Sequence, residues 1–284
     1  MYSKVSLRDE LWRVSVSPEP GVPTPFVGST RNEKFPSYSP DGKRIAFESE
    51  RSGNYEIWVC NEDGSAPAQV TSLRAWSGTP RWSPTGDRIA FDSNANGNWD
   101  IYTIKSGGGQ PVRVTSNAAM DVVPSWSGDG KWIYFSSIRT GRAEIWKTPA
   151  VGGEEVQVTK NGGAAALESP GAKYLYFTTR LENPTLCRKS LPDGPDERIA
   201  DFVFPRNFAT VLHGVYFVQR FPNDARLQFF DDRTHKTTTL MALGDSVSDG
   251  IAVSPDEHYL IYRRGFITSS ELMLVEGFGR KAGR

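Results

Sequence analysis

The sequence predicts an all-β fold, a β-propeller of four-stranded antiparallel blades, and three observations carry that expectation. The first is a recurring word. Pro36-Ser-Tyr-Ser-Pro-Asp-Gly-Lys-Arg-Ile-Ala-Phe47, Pro80-Arg-Trp-Ser-Pro-Thr-Gly-Asp-Arg-Ile-Ala-Phe91 and Pro124-Ser-Trp-Ser-Gly-Asp-Gly-Lys-Trp-Ile-Tyr-Phe135 stand 44 residues apart, and a period of that length marks a repeat architecture. The second is an aromatic anchor: Phe47, Phe91 and Phe135 are each followed 11 residues later by Trp58, Tyr102 or Trp146. The third is the pattern inside a unit. Ile89 and Phe91 point to one face and Ala90 to the other, so the small sheet is apolar on both sides and needs a neighbour front and back, which radial stacking supplies.

Each unit reads as four short strands. In the unit around residue 80 these are 80–83, 88–93, 100–105 and 111–115. Pro84 and Gly86 supply the hairpin turn between the first two; an Asn/Gly loop and the turn Ser106-Gly-Gly-Gly109 make the other joins. Short strands separated by Gly, Pro and Asn, with no long 3.6-residue period, exclude a helical design. The anchor continues at Phe177 (Cys187 after it), Phe217 (Phe229) and Tyr262 (Met273), and backwards at Tyr2 (Trp12).

These anchors imply seven blade positions, the first partial. Residues 1–28 are the partial first blade, and 29–72, 73–116, 117–160, 161–201 and 202–243 are full blades. Residues 244–275 form a last blade lacking its outer strand, and 276–284 a tail. The alternative is a six-bladed ring in which the N-terminal strands complete the last blade. Missing inner strands would leave sheet edges unpaired, so the 284 residues read as a fragment of a longer chain.

Composition sets further bounds. Net charge is zero, so no global field draws the chain to nucleic acid or anionic lipid. No run of 18 apolar residues or signal-like start occurs, which suits a soluble domain in bacterial periplasm or cytoplasm. Cys60 and Cys187 fall in units three blades apart and are not expected to pair. His213, His235 and His258 have no second histidine at ligand spacing. No Gly-x-Ser-x-Gly elbow or Walker-type loop is present, so no catalytic residue is expected.

Asp92-Ser-Asn-Ala-Asn-Gly-Asn-Trp-Asp100 offers oxygens from Asp92, Asn94, Asn96 and Asp100 around a sharp Gly97 turn, the form of a Ca²⁺ loop. Arg51, Arg139 and Arg142 occupy the same loop in other units, and the acid before Ile-Trp or Ile-Tyr is a repeat feature. A solvated hairpin is therefore the preferred reading, with no cofactor and calcium as its alternative.

Irregular residues point to a binding site, because a site breaks the repeat where the fold does not demand it. The connections from each outer strand to the next inner strand converge on one rim beside the second-to-third-strand loops. Arg31, Asn32, Glu33, Arg51, Arg74, Trp76, Asp121, Arg139, Arg206, Asn207 and Asp249 lie there. Such a rim suits a protein, a peptide segment or a small carboxylate ligand.

Ser39-Pro-Asp-Gly-Lys-Arg-Ile-Ala-Phe47, Ser52-Gly-Asn-Tyr-Glu-Ile-Trp-Val59 and Glu62-Asp-Gly-Ser-Ala-Pro-Ala-Gln-Val-Thr71 resemble the WD40-like repeat of TolB-type propellers, across residues 35–160. More narrowly, Asp9-Glu-Leu-Trp-Arg-Val14, Tyr38-Ser-Pro-Asp-Gly42 and Glu271-Leu-Met-Leu-Val-Glu-Gly-Phe278 resemble the C-terminal propeller of bacterial CadC-like winged-helix regulators. That resemblance implies a non-catalytic sensor or binding module of a transcriptional regulator, with no nucleic-acid contact by this chain itself. Two alternatives share the fold: a TolB-like periplasmic protein-interaction propeller, and the gating propeller of an S9-type serine peptidase.

Overall fold

The Ser-Pro-Asp-Gly word builds its own hairpin. Ser39 Oγ donates to Asp41 Oδ1 at 2.6 Å and accepts from Arg44 N at 2.9 Å. Gly42 turns the chain at a φ of 74°, a left-handed conformation that costs glycine little. Ser127 with Asp129 and Ser254 with Asp256 repeat the arrangement. The computed structural model describes residues 2–179 and 183–273.

Among the described residues, 24 strands form six four-stranded antiparallel sheets. Blade 1 comprises Glu33–Tyr38, Arg44–Ser49, Glu56–Asn61 and Ala68–Gln69. Blade 2 runs from Ser77–Trp82 to Val112–Arg113, blade 3 from Asp121–Trp126 to Val156–Gln157, and blade 4 from Ala165–Glu168 to Asp196–Asp201. Blade 5 runs from Val203–Val211 to Lys236–Ala242.

The sixth blade corrects the expected count of seven. Its inner strands are Val247–Val253 and Tyr259–Met273, its third strand is Tyr2–Ser15 and its outer strand Thr24–Pro25. The expected partial first blade and the incomplete last blade are one and the same, and the ring has six. The miscount has a physical origin: Tyr2 and Trp12 imitate an anchor and its partner but lie on a single 14-residue strand. Trp12 fills the partner slot opposite Tyr262, the position expected for Met273, which pairs with Tyr2 instead. The edges expected to be bare are thereby joined between the two ends of the chain. The expected tail, residues 276–284, lies outside the described residues.

Packing agrees with six. The anchors Phe47, Phe91, Phe135, Phe177, Phe217 and Tyr262 are all at most 1 % exposed, each worth roughly 2–3 kcal/mol of apolar burial. Six apolar clusters occupy the six gaps between successive sheets. Ile57 and Ala46 of blade 1 meet Ile89 and Phe91 of blade 2, while Ala90 on the opposite face meets Ile133 and Phe135 of blade 3. Leu11 and Ile261 of blade 6 meet Ile45 and Phe47 of blade 1, closing the ring. Cys60 and Cys187 are buried in separate gaps, where burial pushes their thiols up to about 12 and about 11. No helix of the described residues is long and apolar enough to cross a membrane.

Candidate functional site

The antiparallel order gives the ring two dissimilar mouths. One, the connection face, gathers the starts of the inner strands, the connections that lead into them and the second-to-third-strand loops. The other, the turn face, gathers the hairpins after the inner strands. Every rim residue expected from the sequence lies at the connection face.

Most of the charged ones are held by one another. Arg51 Nε donates to Glu33 Oε1 at 2.8 Å and its guanidinium sits over the Phe47 and Trp58 rings. Blade 3 repeats the device: Arg139 Nη2 donates to Asp121 Oδ1 at 2.7 Å, its other end pairs with Glu155, and it stacks on Trp146. Each arginine thus ties a loop to the start of its own blade's inner strand. Arg206 pairs with Asp249 at 2.8 Å and covers Phe35, and Asn207, fully buried, donates to the Ser248 carbonyl, so these three clasp blade 5 to blade 6. Asn32 donates to Glu50 and accepts from the Asp9 amide. Among the described residues, the Arg31 and Arg74 side chains hold no ion pair and are exposed.

The acid that opens the third strand is structural in blades 1 and 3. Thr71 Oγ1 donates to Glu56 Oε2 at 2.6 Å and accepts from Ile57 N, while Glu56 also accepts from Arg74 N. Glu144 and Thr159 do the same in blade 3. Asp100, in the proposed calcium loop, accepts from Arg113 at 2.6 Å. The other residues of that loop have separate partners: Asn94 accepts from Trp76 N, Asn96 donates to Tyr102 Oη, and Asp92 accepts from Thr79 Oγ1 and Val123 N.

The accessible part of the connection face is aromatic. Trp76 is 43 % exposed, stacks on Tyr55 at 4.6 Å and meets Trp99 edge-on. Its Nε1 donates to Glu48 Oε1 at 3.2 Å, which fixes the indole. Lys34 donates to Tyr55 Oη at 3.1 Å and lies over both rings. Sequence reasoning missed Lys34, Glu48 and Tyr55, and took Asp92 only as a loop ligand. Their signal was present: an acid follows the anchor in Phe47-Glu48 and Phe91-Asp92 where the third unit has Ser136.

Glu48 Oε2 and Asp92 Oδ1 both lie within 3.2 Å of the point where a Cβ on residue 78 would stand. Gly78 leaves room for the two carboxylates to approach. Burial pushes Glu48 up to about 7, opposed by the Lys34 charge and reinforced by Asp92, and burial raises Asp92 as well. Burial likewise pushes Glu33 up to about 7 against the pull of Arg51.

Comparison with known proteins places this geometry in context. A family model described as a TolB beta propeller domain matches residues 35–199. A TolB structure from Agrobacterium tumefaciens superposes with a TM-score of 0.76 at 24% identity, over 92% of this chain and 99% of that one. TolB from Acinetobacter baumannii gives 0.71 at 20% identity, over 84% and 64%. A puromycin hydrolase gives 0.58 at 14%, with only 46% of its chain covered. An uncharacterized protein of Agrobacterium fabrum is 32% identical over 71 residues, 25% of this chain and 24% of its own length. The chain thus aligns with about a quarter of that curated relative.

Proposed function

The chain belongs to the TolB beta-propeller domain family, and we propose that it is a non-catalytic propeller that binds a protein or peptide at its connection face. The observation that carries this reading is Trp76, a large aromatic held rigid by Tyr55 and Glu48 yet 43 % exposed. Rigid, accessible tryptophans flanked by arginines are the side chains that dominate protein interfaces, and Arg31 and Arg74 on the same face form no ion pair among the described residues. A periplasmic setting accords with the TolB-type resemblance.

We adopt this over the transcriptional-regulator context because the family match runs through the repeat words themselves. The regulator resemblance draws on residues 9–14, 38–42 and 271–278, of which 274–278 lie outside the described residues. The likeness to a puromycin hydrolase, at 14% identity, is one of fold.

The test is Trp76→Ala, compared with the parent protein as bait in a crosslinked pull-down from a bacterial lysate. Capture of the main partner falls at least tenfold while the melting temperature stays within about 2 °C, since an exposed site carries little folding energy. Undiminished capture by a folded Trp76→Ala protein overturns the assignment.

A further inference from the structure

A cavity opens at the other mouth. It measures about 660 Å³ and is lined by all six inner strands, opening between the turn prolines Pro40, Pro84, Pro170 and Pro255. None of the rim residues expected from the sequence lines it.

Its wall carries one break in the repeat. The equivalent residues of the three best-matched units are Ser37, Arg81 and Ser125. Arg81 is fixed through its backbone, because Trp126 Nε1 donates to the Arg81 carbonyl at 3.0 Å and Trp82 Nε1 to the neighbouring Ser37 carbonyl at 3.1 Å. Its guanidinium makes long contacts from Nη1 to the Pro36 and Pro80 carbonyls, at 3.3 and 3.4 Å. Among the described residues it has no carboxylate partner, whereas Arg51, Arg139, Arg188, Arg206 and Arg263 each have one. The Nε and Nη2 donors are left without a protein acceptor. Beside it in the cavity wall, Ser125 is 2 % exposed and its hydroxyl has no hydrogen-bond partner.

A half-buried guanidinium without an ion-pair partner is open to an anion, and a buried hydroxyl without a partner is costly. A single ligand bearing oxygens would satisfy both. We propose that the turn-face cavity is a binding site for a carboxylate monoanion, held by the Arg81 guanidinium and the Ser125 hydroxyl.

A planar carboxylate matches the Nε/Nη2 edge of a guanidinium with two parallel hydrogen bonds. Charge selects a monoanion. Glu168, whose oxygens accept from Gly128 N and Tyr134 Oη, and Glu257, which accepts from Tyr216 Oη, line the same cavity. One anion neutralises Arg81, and a second negative charge would meet those two carboxylates. The environment already disfavours the charged guanidinium: burial, then Arg206, lowers Arg81 to about 10 against the pull of Asp249. A bound carboxylate reverses that. The anion is either a free small acid or the end of a peptide chain.

Isothermal titration of the whole chain decides. The probes are acetate against neutral acetamide, and N-acetyl-dialanine with a free carboxylate against its amide. Acetate or the free dipeptide binds, and the neutral analogue binds at least tenfold more weakly; tighter binding of the dipeptide identifies a chain end, tighter binding of acetate a small acid. Arg81→Gln loses at least tenfold, Arg81→Lys loses less, and Ser125→Ala weakens binding severalfold. Because Arg81 makes only two long contacts, Arg81→Gln melts no lower than the parent. Equal binding of acid and neutral analogue, absence of binding by any probe, or undiminished binding by Arg81→Gln overturns the proposal. This site is independent of the interaction surface at the connection face, so loss of acid binding with partner capture intact leaves that reading untouched.

Discussion

The two mouths of this propeller handle charge in opposite ways. At the connection face, arginines are plentiful and mostly consumed: Arg51, Arg139 and Arg206 close ion pairs that tie loops to strands or blade to blade. At the turn face, Arg81 lines a cavity and forms no ion pair among the described residues. The lesson is that a charged rim is not in itself a gripping surface. What a mouth offers a partner is the residue left over after the fold has used the others, which means Trp76 with Arg31 and Arg74 on one side and Arg81 on the other.

Removing a consumed arginine should cost far more than removing a spare one. Arg139→Ala strands Asp121, fully buried, and Glu155, and leaving a buried partner uncompensated costs about 3–5 kcal/mol. Urea denaturation reads this as a lower midpoint. If Arg139→Ala unfolds at the parent midpoint, the paired charges are not structural and the contrast between the mouths fails.

A smaller effect follows from Glu48. Its folded-state value is raised from the ordinary 4.5 to about 7 by burial, so between those pH values the folded state holds more protons than the unfolded one. Stability therefore falls as pH rises through that window, and the penalty is complete above it. Glu48→Gln removes the penalty while its carbonyl still accepts from Trp76. The variant gains about 3 kcal/mol over the parent at pH 8 and nothing at pH 4. Glu33, shifted alike, keeps part of the slope in the variant. A gain independent of pH contradicts the assignment.

The smallest effect marks the spare residue. Arg74→Ala changes unfolding free energy by less than about 0.5 kcal/mol while weakening partner capture. A large loss of stability would move Arg74 into the consumed class.

Hairpins, the two-faced sheets and the anchor positions were legible because each is local and repeated: Ser39, Asp41 and Gly42 fold within one turn, and Phe47, Phe91 and Phe135 stand in equivalent slots. Blade number was legible only as an alternative beside the seven-bladed reading. It depends on the strand Tyr2–Ser15 pairing with Tyr259–Met273, a contact between the two ends of the chain that no local pattern encodes. At the candidate site, residue types at the connection rim could be read but not their mutual pairing. Glu33 with Arg51 and Asp121 with Arg139 are both 18 residues apart, and that shared spacing was the available sign of an internal tie. Arg81 was legible in principle, as the odd residue between two serines in the most regular word of the chain.

Both mouths exist only if the ring closes through its N-terminal strand. Leu11 and Val14 are 1 % and 2 % exposed there, on a strand paired on both sides over Trp12 and Arg13. Hydrogen–deuterium exchange followed on the peptide covering residues 8–15 tests this directly. Protection matching that of Arg44–Ser49 in blade 1 is the expected result; exchange within seconds, as from a free arm, would contradict six-bladed closure and with it the account of both sites.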